Sequence, residues 1–171
     1  MEPQNTSPRV LFLNRSYWPD VEATGQLLTE LCESLSSLFE VHVLAGQPNE
    51  VRDPESDSAW RTTRRRNGVE IHRASHWQLP KRRVLLKGLN YLSFVRATRR
   101  ILKTVDVPDV VVFETDPFLL PFEAARLQRR TGCRMVGYLQ DIYPDVAVAI
   151  RKVPNNWGIR HLRESLFSIY R

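Results

Sequence analysis

Three short stretches carry side chains suited to chemistry on a polar ligand. In Asn14-Arg15-Ser16-Tyr17-Trp18-Pro19-Asp20-Val21-Glu22-Ala23-Thr24-Gly25-Gln26 a loop runs into a helix start that contains a glycine. Free backbone N–H groups at such a start attract an anion, and Gly25 either lets a phosphate approach the main chain or gives only a flexible helix entry. In Glu114-Thr115-Asp116-Pro117-Phe118, Thr115 and Asp116 are able to bond a hydroxyl, although Asp116 reads better as a cap of the next helix. In Gln140-Asp141-Ile142-Tyr143-Pro144-Asp145, Asp141 directly follows an apolar run. A carboxylate there orients a hydroxyl, acts as a base, or fills an ordinary turn or cap role. Asp145 is read as structural.

The elements that must position these stretches are legible in the hydrophobic pattern. Arg9 to Asn14 is a nearly continuous apolar run, as expected of a strand buried on both faces of a parallel sheet. Gln26 to Leu38 spaces Leu27, Leu28, Leu31, Leu35 and Leu38 three and four apart, which predicts a helix with one apolar stripe and Thr24 as its cap. Glu40 to Ala45 and Glu70 to Ala74 read as further strands, and Val84 to Val105 as a long helix. Asp109 to Phe113, Leu119 to Arg130 and Arg134 to Leu139 then read as strand, helix and strand, and Trp157 to Arg171 as a helix with Leu162, Leu166, Ile169 and Tyr170 on one face. Gly46 to Gly68, with Pro48, Pro54 and the cluster Arg64, Arg65 and Arg66, reads as a long surface loop. The alternation predicts an α/β fold with a doubly wound parallel sheet. In such sheets ligands bind beyond the carboxyl ends of the strands, which is where all three stretches fall.

The chain has 171 residues and a net charge of +6, so one domain and an anionic partner are expected. Residues 81–103 hold eight Lys or Arg and no acid, alongside Leu85, Leu89, Leu92, Val95 and Leu102. Arg96, Arg100 and Lys103 fall on one side at helical spacing, a pattern that suits either an anionic lipid surface or plain solvent. No stretch is long and apolar enough for a membrane span, and residues 1–8 lack the pattern of a signal peptide, so a flexible leader and a cytoplasmic location are expected.

Other chemistries find little support. Cys32 and Cys133 stand alone, which argues against a disulfide framework or a cysteine zinc site. His42, His72 and His161 lack a second His or Cys at ligand spacing in the sequence, so they are read as structural and no metal is expected. His76 and Trp77 are left as loop anchors or cleft-lining groups. Neither GxGxxG nor GxxxxGK[ST] occurs. A nucleic-acid partner is set aside because the aromatics are not interleaved with the basic residues and no known nucleic-acid motif is present.

Taken together, Tyr17-Trp18-Pro19-Asp20, Ala23-Thr24-Gly25-Gln26, Leu28-Thr29-Glu30-Leu31, Val43-Leu44-Ala45-Gly46-Gln47-Pro48-Asn49, Thr115-Asp116-Pro117 and Leu139-Gln140-Asp141-Ile142-Tyr143-Pro144-Asp145 resemble the N-terminal domain of retaining GT4-type glycosyltransferases of the GT-B fold. The similarity is greatest to the colanic-acid and O-antigen branch and extends from about Arg9 onward.

The resemblance implies a Rossmann-like acceptor-side domain over residues 9–171, with a second, donor-binding domain lying outside this sequence and the isolated chain inactive in transfer. It implies a nucleotide-sugar donor as substrate, no other cofactor, and a lipid-linked or oligosaccharide acceptor in surface polysaccharide biosynthesis at the inner face of the cytoplasmic membrane. Gly25 would lie against the donor diphosphate. Asp141 would sit beside the reacting sugar as a positioning group, since the family's retaining step needs no protein nucleophile. Tyr17, Thr115 and Gln140 would line the cleft. The alternative is a non-catalytic sugar- or nucleotide-binding module of the same fold. A receiver-like regulatory domain shares the alternation, but the acidic pair expected after its first strand is missing.

Overall fold

The computed structural model describes residues 7–48, 60–80 and 84–170. Its elements run β1 (Arg9–Leu13), α1 (Ala23–Leu35), β2 (Glu40–Gly46), β3 (Arg61–Arg66), β4 (Val69–Ala74), α2 (Val84–Ile101), β5 (Val110–Glu114), α3 (Leu120–Thr131), β6 (Arg134–Tyr138), α4 (Asp145–Ala149) and α5 (Trp157–Tyr170). The six strands form one sheet in the order β3-β4-β2-β1-β5-β6, parallel throughout except for the antiparallel β3–β4 pair. From β1 the chain builds outward through β2 and β4 on one side and through β5 and β6 on the other. The order therefore reverses between β1 and β5, and ligands of open α/β sheets sit at such a reversal.

Alternation of side chains along the strands gives the sheet two apolar faces. Val10, Phe12, Val41, Val43 and Ile71 pack with Leu28 and Cys32 of α1 on one face. Leu11, Leu13, Leu44, Val111 and Phe113 pack with Phe94 of α2 and with Leu120, Ala124 and Leu127 of α3 on the other, where Tyr170 of α5 joins them. Helices thus cover both sides of the central strands, as the near-continuous apolar runs require. Buried Glu123 ties α3 to α2 by accepting from Arg99 at 2.6 Å and is also bonded by Arg126 of its own helix at 3.0 Å.

Several expectations need correction. The helix read as Gln26 to Leu38 starts earlier and ends earlier, and no side chain caps it; Thr24 lies inside its first turn. Its buried face is Gly25, Leu28, Thr29 and Cys32, whereas Leu27, Leu31 and Leu38 are exposed. Leu35 of the expected stripe also packs on this core from a half-buried position, and the loop after β1 lies at ordinary contact distance from Gly25. The reading of 46–68 as one loop fails at its end: Arg61–Arg66 is a strand, with Arg64, Arg65 and Arg66 on the antiparallel sheet edge. Asn67 and Gly68, both at positive φ (45° and 81°), make the tight turn into β4, which is the Asn-Gly hairpin signal. Residues 49–59 lie outside the described residues, as do 1–6 of the expected leader and the basic residues 81–83. Helix α2 stops at Ile101, so Lys103 belongs to the turn that follows it. The apolar run at β6 is a strand, but an exposed one at the sheet edge.

Candidate functional site

The three segments singled out by residue type meet at the carboxyl ends of β1, β5 and β6. Arg15, just past β1, donates through Nε to Asp116 Oδ2 at 3.1 Å, with Nη2 2.9 Å from the same oxygen, and the Arg15 amide bonds the Asp116 carbonyl at 2.9 Å. These bonds close the switch point. Asp116 therefore does not cap α3, whose N-cap position is Leu119 with no side-chain cap bond. Arg15 Nη2 also reaches Glu22 Oε2 at 3.2 Å, and Ser16 Oγ donates to the same oxygen at 2.7 Å, folding the loop 14–22 back on itself. Burial works against the Arg15 charge, but Asp116 and Glu22 more than offset it, so its pKa stands above the ordinary arginine value.

Thr115 is buried, and its hydroxyl accepts a hydrogen bond from the Asp141 amide at 3.4 Å, which draws the third segment to the second. The Asp141 and Gln140 side chains are exposed beside it. The Phe118 and Tyr143 rings stack with centroids 5.6 Å apart, joining the same two loops. Asp145 pairs with Arg163 of α5 at 3.0 Å, in line with its structural reading. Each of the three loops carries a cis prolyl bond, at Trp18-Pro19, Asp116-Pro117 and Tyr143-Pro144.

Two of the expected residues lie deeper than a cleft wall. Tyr17 is 1% exposed and belongs to the core between α1 and the sheet, where burial drives its pKa upward. Gly25 is buried in the first turn of α1, and a Cβ added there would stand 3.5 Å from Ser16 and from the Tyr17 amide, ordinary contact distances. The glycine thus lies directly beneath the loop backbone.

A cavity of about 500 Å³ opens beside Arg15 and Glu22, and its other walls include His76, Lys87, Asn90 and Tyr91. Asn90 grips both the amide and the carbonyl of Leu79 at 2.9 Å, fixing the rim segment to α2. Burial, with Asp116 nearby, pushes the Tyr91 phenol up to about 12, so it stays a neutral hydrogen-bonding group. Gly46 packs against this wall: a Cβ there would meet His76 Cε1 at 2.8 Å and the Arg15 carbonyl at 3.1 Å. Arg15, Lys87, Asn90 and Tyr91 were not picked out as site residues from the sequence, because a loop and a helix meet here that no local spacing connects. A signal was available in Arg15, the charged residue one position past the first strand's Asn14.

Glu114 ends β5 with its side chain in the interior. It is 2% exposed, and neither carboxylate oxygen has a hydrogen-bond partner among the described residues. Desolvation, helped by the charge of Asp116, pushes its pKa up to about 8, so a protonated acid sits directly beneath the switch point.

A second cavity, about 560 Å³, lies on the outer side of α2 and is lined by Trp60, Trp77, Leu89, Leu92, Arg96 and Arg100 among others. Arg100 lies over the Trp60 ring at 4.4 Å. Arg96, Arg100 and Lys103 are exposed, while Arg99 is engaged by Glu123. No helix among the described residues is long and apolar enough to cross a membrane. Compared with known proteins, the chain matches no family model and no curated protein.

Proposed function

We propose that this domain is the acceptor-side half of a nucleotide-sugar-dependent, retaining glycosyltransferase of the GT-B type. The observation that carries the reading is the convergence of all three motif-bearing loops on one switch point, held together by the Arg15–Asp116 and Thr115–Asp141 bonds. Loops so gathered form a polar floor for a ligand at the strand ends. In this reading the exposed Asp141 carboxylate orients an acceptor or donor hydroxyl, with Thr115 and Gln140 beside it. In the same reading the start of α1 at Gly25 and the adjacent Ser16–Tyr17 backbone lie on the side that a diphosphate held by a second domain approaches.

The acceptor is a saccharide on a lipid carrier. Support comes from the α2 surface, where exposed Arg96 and Arg100 share a cavity with exposed Trp60, Trp77 and Leu92, with exposed Lys103 in the turn after the helix, a basic and aromatic surface suited to an anionic bilayer. Transfer takes place at the inner face of the cytoplasmic membrane.

The test is transfer of radiolabelled sugar from a panel of nucleotide sugars to a membrane-lipid fraction, by protein carrying this domain together with its donor domain. Transfer that falls at least about 100-fold in Asp141→Asn, with little change in donor KM, is expected. An unchanged rate in that variant, or no transfer from any donor, overturns the reading.

A further inference from the structure

Away from the switch point, near the amino-terminal ends of β2 and β4, three potential ligands share one sheet face. Parallel pairing sets His42 opposite Glu70, and His72 follows Glu70 by two residues, so all three side chains project the same way. His42 Nδ1 lies 3.2 Å from His72 Nε2 and 3.7 Å from Glu70 Oε1, and His72 Nε2 lies 3.5 Å from the same carboxylate oxygen. Zinc bonds to imidazole nitrogen and carboxylate oxygen of about 2.0–2.2 Å put neighbouring tetrahedral ligands roughly 3.3–3.6 Å apart. The separations of 3.2, 3.5 and 3.7 Å straddle that range, so small side-chain shifts bring the three atoms onto one face of such a tetrahedron.

We propose that His42, Glu70 and His72 bind a divalent transition metal of the zinc type, with a water in the fourth position. The surrounding groups are arranged as outer partners of metal ligands. His42 Nε2 is 3.0 Å from Glu40 Oε1, so it carries the proton and leaves Nδ1 free to coordinate. Glu70 uses Oε2 for Arg65, at 3.3 Å, and presents Oε1 to the two imidazoles. His72 Nδ1 lies 3.3 Å from Thr63 Oγ1, which accepts its proton when Nε2 binds the metal. Arg61 Nη2, 3.2 Å from that Nδ1, donates to it in the metal-free chain, so metal binding at Nε2 requires the whole planar guanidinium to shift, giving up its bonds to Thr104 and Thr63 as well. Around the site Glu40, Glu70 and Asp106 balance Arg9, Arg61 and Arg65, so the metal-free cluster is close to neutral. Both imidazoles are almost buried, and the metal enters past Glu40 and Glu70, which are partly exposed.

The site joins β2 to β4, and β4 carries the antiparallel edge strand β3. It therefore acts as a clip on that side of the sheet, remote from Asp141. Metal bound only by the folded chain raises its stability.

Titration of the tag-free chain with Co²⁺ as a spectroscopic probe and with Zn²⁺ in thermal unfolding tests the proposal. Expected are an intense tetrahedral Co²⁺ spectrum without a thiolate charge-transfer band, saturation at equimolar metal, displacement by Zn²⁺, and a higher Tm with Zn²⁺. Glu70→Gln weakens binding at least about tenfold and Glu40→Gln about 10–100-fold, both without loss of fold. His72→Gln abolishes the spectrum, and His161→Gln leaves it unchanged. An octahedral or thiolate-type spectrum, no spectrum, or affinity unchanged in both Glu70→Gln and Glu40→Gln overturns the site. These two variants decide the matter if either histidine variant does not fold.

Discussion

Arg15 and Asp116 stand 101 residues apart in the chain and meet at 2.9 Å across the gap where the sheet reverses direction. The pair links the loops after β1 and β5, so each loop's position depends on the other. Arg15→Ala and Asp116→Ala are each expected to destabilise the domain, and the double variant to lose less than their sum. The coupling should fall at about 1–2 kcal/mol, within the range for partly buried neighbours. Denaturant unfolding of the four proteins measures it, and additivity would mean that the loops are placed independently.

Glu114 makes stability depend on pH in a definite direction. Its pKa is raised in the folded state, from 4.5 to about 8, so the folded chain holds a proton that the unfolded chain has released. The contribution of Glu114 to stability is therefore fullest below about pH 4.5 and declines as pH rises toward 8. Glu114→Gln removes this dependence. The variant should gain on the parent with rising pH, by an amount on the order of 4 kcal/mol between pH 4.5 and 8. Unfolding by guanidinium at several pH values, read as the difference between the two proteins, isolates this group from the histidines.

The two glycines near the switch point are expected to respond oppositely to alanine. At Gly25 a methyl group meets only contacts of 3.5 Å, and a helical glycine replaced by alanine gains up to about 1 kcal/mol. At Gly46 the methyl meets His76 at 2.8 Å and the Arg15 carbonyl at 3.1 Å, so Gly46→Ala should cost about 1–3 kcal/mol. Thermal unfolding checks both. If Gly25 lies near a diphosphate, Gly25→Ala keeps the fold and weakens donor binding in the two-domain protein.

Arg96 and Arg100 bear on membrane contact. Sedimentation with vesicles rich in anionic phospholipid should show binding that drops about 10–30-fold in the double variant Arg96→Gln and Arg100→Gln, at about 1 kcal/mol per basic residue. Added salt should have a similar effect on the parent protein. Equal binding by parent and double variant would assign these arginines to solvent.

Much of the scaffold could be read in advance because strands buried on both faces announce themselves: Val10 to Leu13 and Val110 to Phe113 are unbroken apolar runs. On α1 the leucine spacing points to the core at Leu28 and Leu35 but not at Leu27, Leu31 and Leu38, because Gly25, Thr29 and Cys32 share the buried face instead. The strand carrying Arg64, Arg65 and Arg66 was hidden by its charge, since an edge strand has little apolar pattern, although Asn67-Gly68 marked its turn. At the site, Asp141 and Thr115 were legible as residues following strands. The pairing of Arg15 with Asp116, and that of His42 with His72, was not, because each depends on strand order and register rather than on distance along the chain.

The outer strand β6 gives the domain a distinct solution behaviour. Among the described residues no strand pairs with its outer edge, exposed Val136 and Tyr138 lie along it, and Leu139 and Ile142 continue the apolar surface beyond it. Unpaired main-chain groups beside apolar side chains are a template for strand addition, and so for aggregation when no other segment covers them. Concentrated solutions of the isolated chain are therefore prone to edge-to-edge growth. A lysine in place of Val136, which points outward, would blunt that growth without touching the core.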